Sequence, residues 1–192
     1  MNARLIHLVR HGPPRSAGLL LGQSDEAPAD PSGGLRDAVP EALPISHVWS
    51  SDLQRARVGA EAIARSRSIG LSMDPRWREL DFGEWEGLSA DDVPREGLTR
   101  FWDDPDASPP PGGERWSALQ ARIRAALVDL DDMGLVVTHG GAMRAAVAVL
   151  TGLDHRQVWA FDLPYGALLS LRIWPGAEPA GQIIGLRAGC PS

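Results

Sequence analysis

Leu5-Ile6-His7-Leu8-Val9-Arg10-His11-Gly12-Pro13-Pro14 decides how the rest of this 192-residue chain is read. Leu5 to Val9 is apolar except for His7 and predicts a short buried strand, and the two prolines then force the backbone out of any sheet. A second stretch has the same design: Leu135-Val136-Val137, then Thr138-His139-Gly140-Gly141. Each places a histidine just after a buried strand and just before glycine. In open α/β sheets the ligand crevice lies beyond the carboxyl ends of the strands. His11 and His139, 128 positions apart (139 − 11), are therefore expected at one site.

The segments between and around them fit that picture. Residues 15–34 read as a loop rich in Gly, Pro, Ser and Asp. Leu35 to Leu43 suggests a short helix weakened by Pro40. His47-Val48-Trp49 predicts a second strand, after which Ser50-Ser51-Asp52 offers N-cap chemistry to a helix running to about Arg65. Leu71 to Met73 is a third strand candidate. Residues 76–113 are Trp-rich, acidic and closed by Pro109-Pro110-Pro111-Gly112-Gly113; the part from 88 reads as an irregular lid or insertion. Trp116, Leu119, Ile123, Ala126, Leu127 and Leu130 recur at helical spacing, with Gly134 expected to end that helix. An alanine-rich helix from 142 to about 151 and late strands at 167–174 and 182–186 complete the reading. Strands alternating with helices predict an α/β fold, a three-layer α/β/α sandwich with a mostly parallel sheet, as one domain over 1–192.

Composition removes several chemistries. All 19 basic residues are arginine, so there is no lysine for a Schiff base, a general base or a P-loop. The 25 acidic residues give a net charge of -6, which argues against a nucleic-acid partner. Cys190 stands alone near the C-terminus and is taken as a bystander thiol; one cysteine supplies neither a disulfide nor a cysteine-based zinc site. His7 and His11 are four apart but lack the glutamate of a helical zinc motif, and their segment reads as strand. Gly140-Gly141 lacks the spacing of a dinucleotide loop. MNARLIHLVR is unlike a signal peptide and no apolar run would span a membrane, so a cytoplasmic protein without a membrane partner is expected.

Arginines fall where an anion would need them. Arg10 adjoins His11, and Arg55 opens the helix after the second strand, where helix N-terminal amides also favour anions. Two histidines and two arginines at several strand ends describe a pocket for a phosphoryl group. Five ordered motifs carry a resemblance: Arg10-His11-Gly12; Ser50-Ser51-Asp52-Leu53-Gln54-Arg55-Ala56; Glu79-Leu80-Asp81-Phe82-Gly83-Glu84-Trp85-Glu86-Gly87; Pro111-Gly112-Gly113-Glu114; and Thr138-His139-Gly140-Gly141. Together they resemble the histidine phosphatase superfamily, in the branch of cofactor-dependent phosphoglycerate mutases and small phosphatases.

The resemblance implies a phosphomonoesterase acting on a small phosphorylated metabolite through a phosphohistidine, with no metal and no cofactor. His11 would be the nucleophile, and Arg10, Arg55, His139 and Gly140 would hold the phosphoryl group. Glu79 would protonate the leaving alkoxide and then activate water. On residue type alone Glu84 and Glu86 compete for that role; the family pattern selects Glu79 and makes Glu86 structural. Where many members carry Glu-Thr or Gln-Thr and a later asparagine, this chain has Pro13, Pro14 and Ala17. That pattern, with Gly18, Gly22, Asp25 and Asp162-Leu163-Pro164-Tyr165-Gly166, is similar to α-ribazole phosphatases and suggests α-ribazole 5′-phosphate as substrate. A phosphoglycerate mutase is the alternative, disfavoured by the acidic 88–113 segment; an inactive phospholigand-binding protein on the same fold is a second. Arg15, Arg115 and Arg144 read as surface charges, and Trp85, Trp102 and Trp116 as core and lid anchors, though the tryptophans could also stack on an aromatic base.

Overall fold

A computed structural model describes residues 2–189; Cys190 lies outside them. Strands β1 (Arg4–Arg10), β2 (His47–Ser50), β3 (Gly70–Met73), β4 (Gly134–Thr138), β5 (Leu168–Trp174) and β6 (Ala180–Arg187) form one sheet in the order β3-β2-β4-β1-β5-β6. The three pairings among β3, β2, β4 and β1 are parallel, and β5 and β6 add antiparallel at one side. β4 is buried along its whole length, as its unbroken apolar run requires of a central parallel strand.

Helices cover both faces, giving the three layers. Val9, Val48, Leu135 and Val137 point to the face covered by α1 (Gln54–Arg67), where they meet Ala56, Ala60 and Ile63. Ile6, Leu8, Val136 and Leu171 point the other way, into a core shared with α3 (Trp116–Val128) and α4 (Gly140–Thr151). That alternation follows from the two-residue period of a strand. The alanine-rich sequence of α4 is explained by its burial: from Ala142 to Leu150 every residue is buried, and small side chains let its neighbours approach.

Four local expectations are corrected. Leu35 to Leu43 forms isolated turns rather than a helix, because Pro40 lacks an amide hydrogen and disfavours helical geometry at Val39; Leu35 and Val39 are nonetheless buried beside α1. Gly134 does not end α3, which stops at Val128; it opens β4 opposite Ile6 and His47. Residues 88–113 are not irregular throughout, since Arg95–Asp103 forms helix α2, starting after Pro94 and burying Phe101. At the start of α1 the cap residue is Leu53, which has no side-chain oxygen. The Gln54 amide instead donates to Asp25 Oδ1 (2.6 Å), so a remote loop carboxylate does the capping.

Burial pushes the Asp25 carboxyl up, but hydrogen bonds from the Gln54 amide and side chain outweigh it and hold the pKa below its ordinary 3.8. The carboxylate thus contributes stability above that value and loses it as pH falls through the lowered pKa. Asp25→Ala is expected to cost about 1 kcal/mol in urea unfolding at neutral pH. The difference from wild type should shrink below pH 3.8; a constant difference would argue against the cap.

Candidate active site

Parallel pairing brings the chemistry together. The His11 amide donates to the Thr138 carbonyl (2.8 Å) and the Ser51 amide to the Val137 carbonyl (3.0 Å), so the residues following β1, β4 and β2 sit side by side. The His11 and His139 ring centroids are 4.9 Å apart. Burial lowers both imidazole pKa values well below 6.5, and the nearby Arg55 and Arg10 act in the same direction. Both rings are therefore neutral, and their hydrogen bonds determine where each proton sits.

His11 Nδ1 lies 2.6 Å from the Gly12 carbonyl, which can only accept. The proton is thus on Nδ1, and Nε2 keeps its lone pair. Gly12 cannot be larger, since a Cβ there would lie 2.5 Å from the Gly33 carbonyl oxygen. His139 has the opposite arrangement. Its Nε2 is 2.9 Å from Ser51 Oγ, which already accepts from the Leu53 amide and has no other acceptor for its own hydrogen among the described residues. Ser51 donates to Nε2, and His139 carries its proton on a buried Nδ1 that has no protein partner.

The arginines are held by backbone carbonyls rather than by carboxylates. Arg55 is 1% exposed; its Nη1 donates to Ser24 and its Nη2 to Leu21 and Gly22. Burial pulls its pKa down, while Glu79, Glu86 and Asp25 pull it up. The Glu86 carboxylate in turn accepts the amides of Gly22, Gln23 and Ser24, so its place is under the loop that grips Arg55. Arg10 donates to the Leu163 carbonyl (2.7 Å), with its guanidinium 4.1 Å above the Tyr165 ring.

Glu79 reaches the same place from the other side. Its Oε2 accepts from the Gly141 amide (2.9 Å) at the start of α4, and Oε1 accepts from the Leu80 amide (2.8 Å). A Cβ on Gly141 would overlap Oε1, which accounts for the second glycine of the pair. The Glu79 carbonyl accepts from Gln23 Nε2 and from Arg122, which also binds the carbonyls of Arg76 and Arg78. Arg122 is ion-paired with Glu114 at 2.8 Å, so the Pro-Gly-Gly-Glu motif acts by bracing the backbone that carries Glu79.

Arg10, His11, Arg55, Glu79 and Gly140 all line one cavity of about 310 Å³, a size suited to a small molecule. His139 lies behind His11, fully buried, and does not form the wall. Neither Glu84 nor Glu86 lines the cavity, so Glu79 is the carboxyl facing it. Arg144 overturns its surface reading: it is 8% exposed, lines the cavity and lies 3.9 Å above the Trp159 ring. Its position four residues after Gly140, on the same helix face, was the available signal. Arg15 and Arg115 are exposed and stand outside the cavity. Tyr165, beside both Arg10 and His11, comes from a loop and carries no periodic signal. No helix among the described residues is long and apolar enough to cross a membrane.

Known proteins resemble this chain in sequence and in fold. "Probable phosphoglycerate mutase GpmB" of Erwinia tasmaniensis is 32% identical over 163 residues, covering 77% of this chain and 75% of that one. "Putative phosphoserine phosphatase 2" of Hydrogenobacter thermophilus is 30% identical over 136 residues, 67% of each chain. In fold, the chain matches the crystal structure of "a putative alpha-ribazole-5'-P phosphatase" from Escherichia coli K-12 with a TM-score of 0.79, at 23% identity and full coverage of both chains. The model of the histidine phosphatase superfamily (branch 1) matches residues 6–180, and the chain belongs to that family.

Proposed function

We propose that this protein is a metal-independent phosphomonoesterase that hydrolyses a small phosphorylated metabolite through a phosphohistidine on His11. Membership of the family makes it a phosphatase or mutase-type enzyme. The observation that carries the finer reading is that the two rings use opposite nitrogens for their protein hydrogen bonds, Nδ1 in His11 and Nε2 in His139. Of the two histidines, His11 offers a free lone pair at the cavity wall, and His139 offers a hydrogen.

The chemistry follows from those positions. His11 Nε2 attacks phosphorus and the P–O bond to the alcohol breaks. The ring then carries positive charge, which the Nδ1–H bond to the Gly12 carbonyl stabilises. Arg10, Arg55 and the Gly140 end of α4 face the charge on the phosphoryl oxygens, with His139 behind His11, in a site already ordered before substrate arrives. Glu79 gives its proton to the leaving alkoxide; as carboxylate it then takes one from water, which attacks phosphorus and breaks the N–P bond. Phosphate leaves, and His11 and Glu79 return to their starting forms.

A mutase differs in returning the phosphoryl group to a bound phosphoglycerate, and the Erwinia relative's name favours that reading. Hydrolysis is preferred because Arg95 and Arg100, the basic residues of 88–113, stay out of the cavity, so that segment brings no cation to a glycerate carboxylate. α-Ribazole 5′-phosphate remains the named candidate substrate, supported by the motif pattern and the Escherichia coli neighbour.

His11→Ala should lower kcat by at least about 10³-fold, acid-quenched wild type should carry phosphate on His11, and activity should survive EDTA. Full activity in the mutant or a strict metal requirement would sink the mechanism. Glu79→Gln should slow alkyl phosphates by about 10²–10⁴-fold and nitrophenyl phosphate far less, because a good leaving group needs no proton; equal slowing would remove Glu79 as the acid. In nitrogen-detected NMR at pH 6.5, His11 and His139 should both be neutral and both protonated at Nδ1, an uncommon pairing that a charged ring or an Nε2–H signal would contradict.

A further inference from the structure

We propose that the outer half of this cavity is a recognition site for an uncharged aromatic or apolar leaving group. For catalysis this rests on the phosphomonoesterase reading; for binding it stands alone.

The division of the cavity is chemical. Its arginines, Arg10, Arg55 and Arg144, gather at the phosphoryl end: a Cβ on Gly140 would lie 3.4 Å from Arg10 Cζ and 3.2 Å from Arg144 Nη1, so two guanidinium groups share that spot. Glu79, the one carboxylate on the wall, is there too. Beyond them the lining is mainly apolar, His155 apart, with Leu20, Phe82 and Leu98 among aromatic rings that form a continuous edge-to-face series. Trp85 meets Phe101 at 5.7 Å and 83°, Phe101 meets Trp102 at 5.2 Å, and Trp102 meets Trp159 at 4.6 Å and 85°.

This wall is built and not incidental. Trp102 is 43% and Trp159 46% exposed, an unusual exposure for large rings, yet both are held in place. The carbonyl of Asp103, at the end of α2, accepts from His155 Nε2 (3.1 Å) and Arg156 Nη2 (3.0 Å), tying α2 to the turn that carries Trp159. Arg144 stacks under Trp159, fixing its other face.

The consequence is selectivity. A carboxylate or second phosphate on the leaving group would be desolvated against indole rings, where the guanidinium nearest the wall, Arg144, is already stacked on Trp159 and turned to the phosphoryl end, which is costly. An aromatic ring would extend the edge-to-face series and bury apolar area.

The test compares esters of primary alcohols, so that leaving-group chemistry is matched: 2-(2-naphthyl)ethyl phosphate, glycerol 3-phosphate and 3-phosphoglycerate. The naphthyl ester should have a kcat/KM at least about tenfold above the other two. Trp102→Ala and Trp159→Ala should each cut the naphthyl-to-glycerol ratio by about tenfold. In parallel, wild-type protein should bind 2-naphthylmethylphosphonate at least about tenfold more tightly than phosphonoacetate by calorimetry. Turnover without aromatic preference, an unchanged ratio in both variants or equal phosphonate affinities would overturn this proposal and leave the phosphatase reading standing. Selective phosphonate binding with no ester hydrolysed would do the reverse.

Discussion

Parallel pairing of β1 with β4 is the constraint on which the site depends. Val9 opposite Val137 and Arg10 opposite Thr138 put the two strand ends level, and the His11 amide then bonds to the Thr138 carbonyl. A slip of one residue would turn every side chain to the other face of the sheet, which the two packed cores forbid. With the register held, the residues after β1, β4 and β2 converge, and two imidazoles from distant sequence become neighbours. The tight glycines, Gly12 against Gly33 and Gly141 against Glu79, are what such convergence demands of the backbone.

Burying cations in so small a space is expensive unless their hydrogens are satisfied. The fold meets this mainly with carbonyl groups. Arg55 takes three from the 21–24 loop and Arg122 takes three from the 76–79 segment. Carbonyls orient a guanidinium without neutralising it, so Arg55 keeps its charge available to an anion. Glu86 and Glu114 stand one step further out, bracing the loop and the arginine that do the holding. An acidic chain thereby sustains a local positive field.

What was legible in the sequence depended on distance along the chain. Strands β1, β2 and β4 and the helices after them show in local apolar patterning, and the five motifs place His11, Arg10, Arg55 and Glu79 near one another. Helix α2 was not legible, because nine residues between Pro94 and an Asp-Pro-rich tail carry too short a period to stand out. The α1 cap misled for a different reason: Ser51 looked like a cap but its hydroxyl serves His139, while Asp25 supplies the cap from a loop far upstream.

The sequence by itself determined the strand ends that bear histidine, the arginines available to an anion and the family, because each of these is a property of adjacent residues. Only the tertiary structure decided which ring keeps a free lone pair, which of three glutamates faces the cavity, and that Arg144 is buried rather than solvated. Those outcomes depend on hydrogen-bond partners and on burial, and both are set by residues tens of positions away. The same reason explains the tryptophans. Their spacing could not tell core anchors from a cavity wall, and Trp102 and Trp159 line the same cavity only because α2 and the 157–160 turn are brought edge to edge.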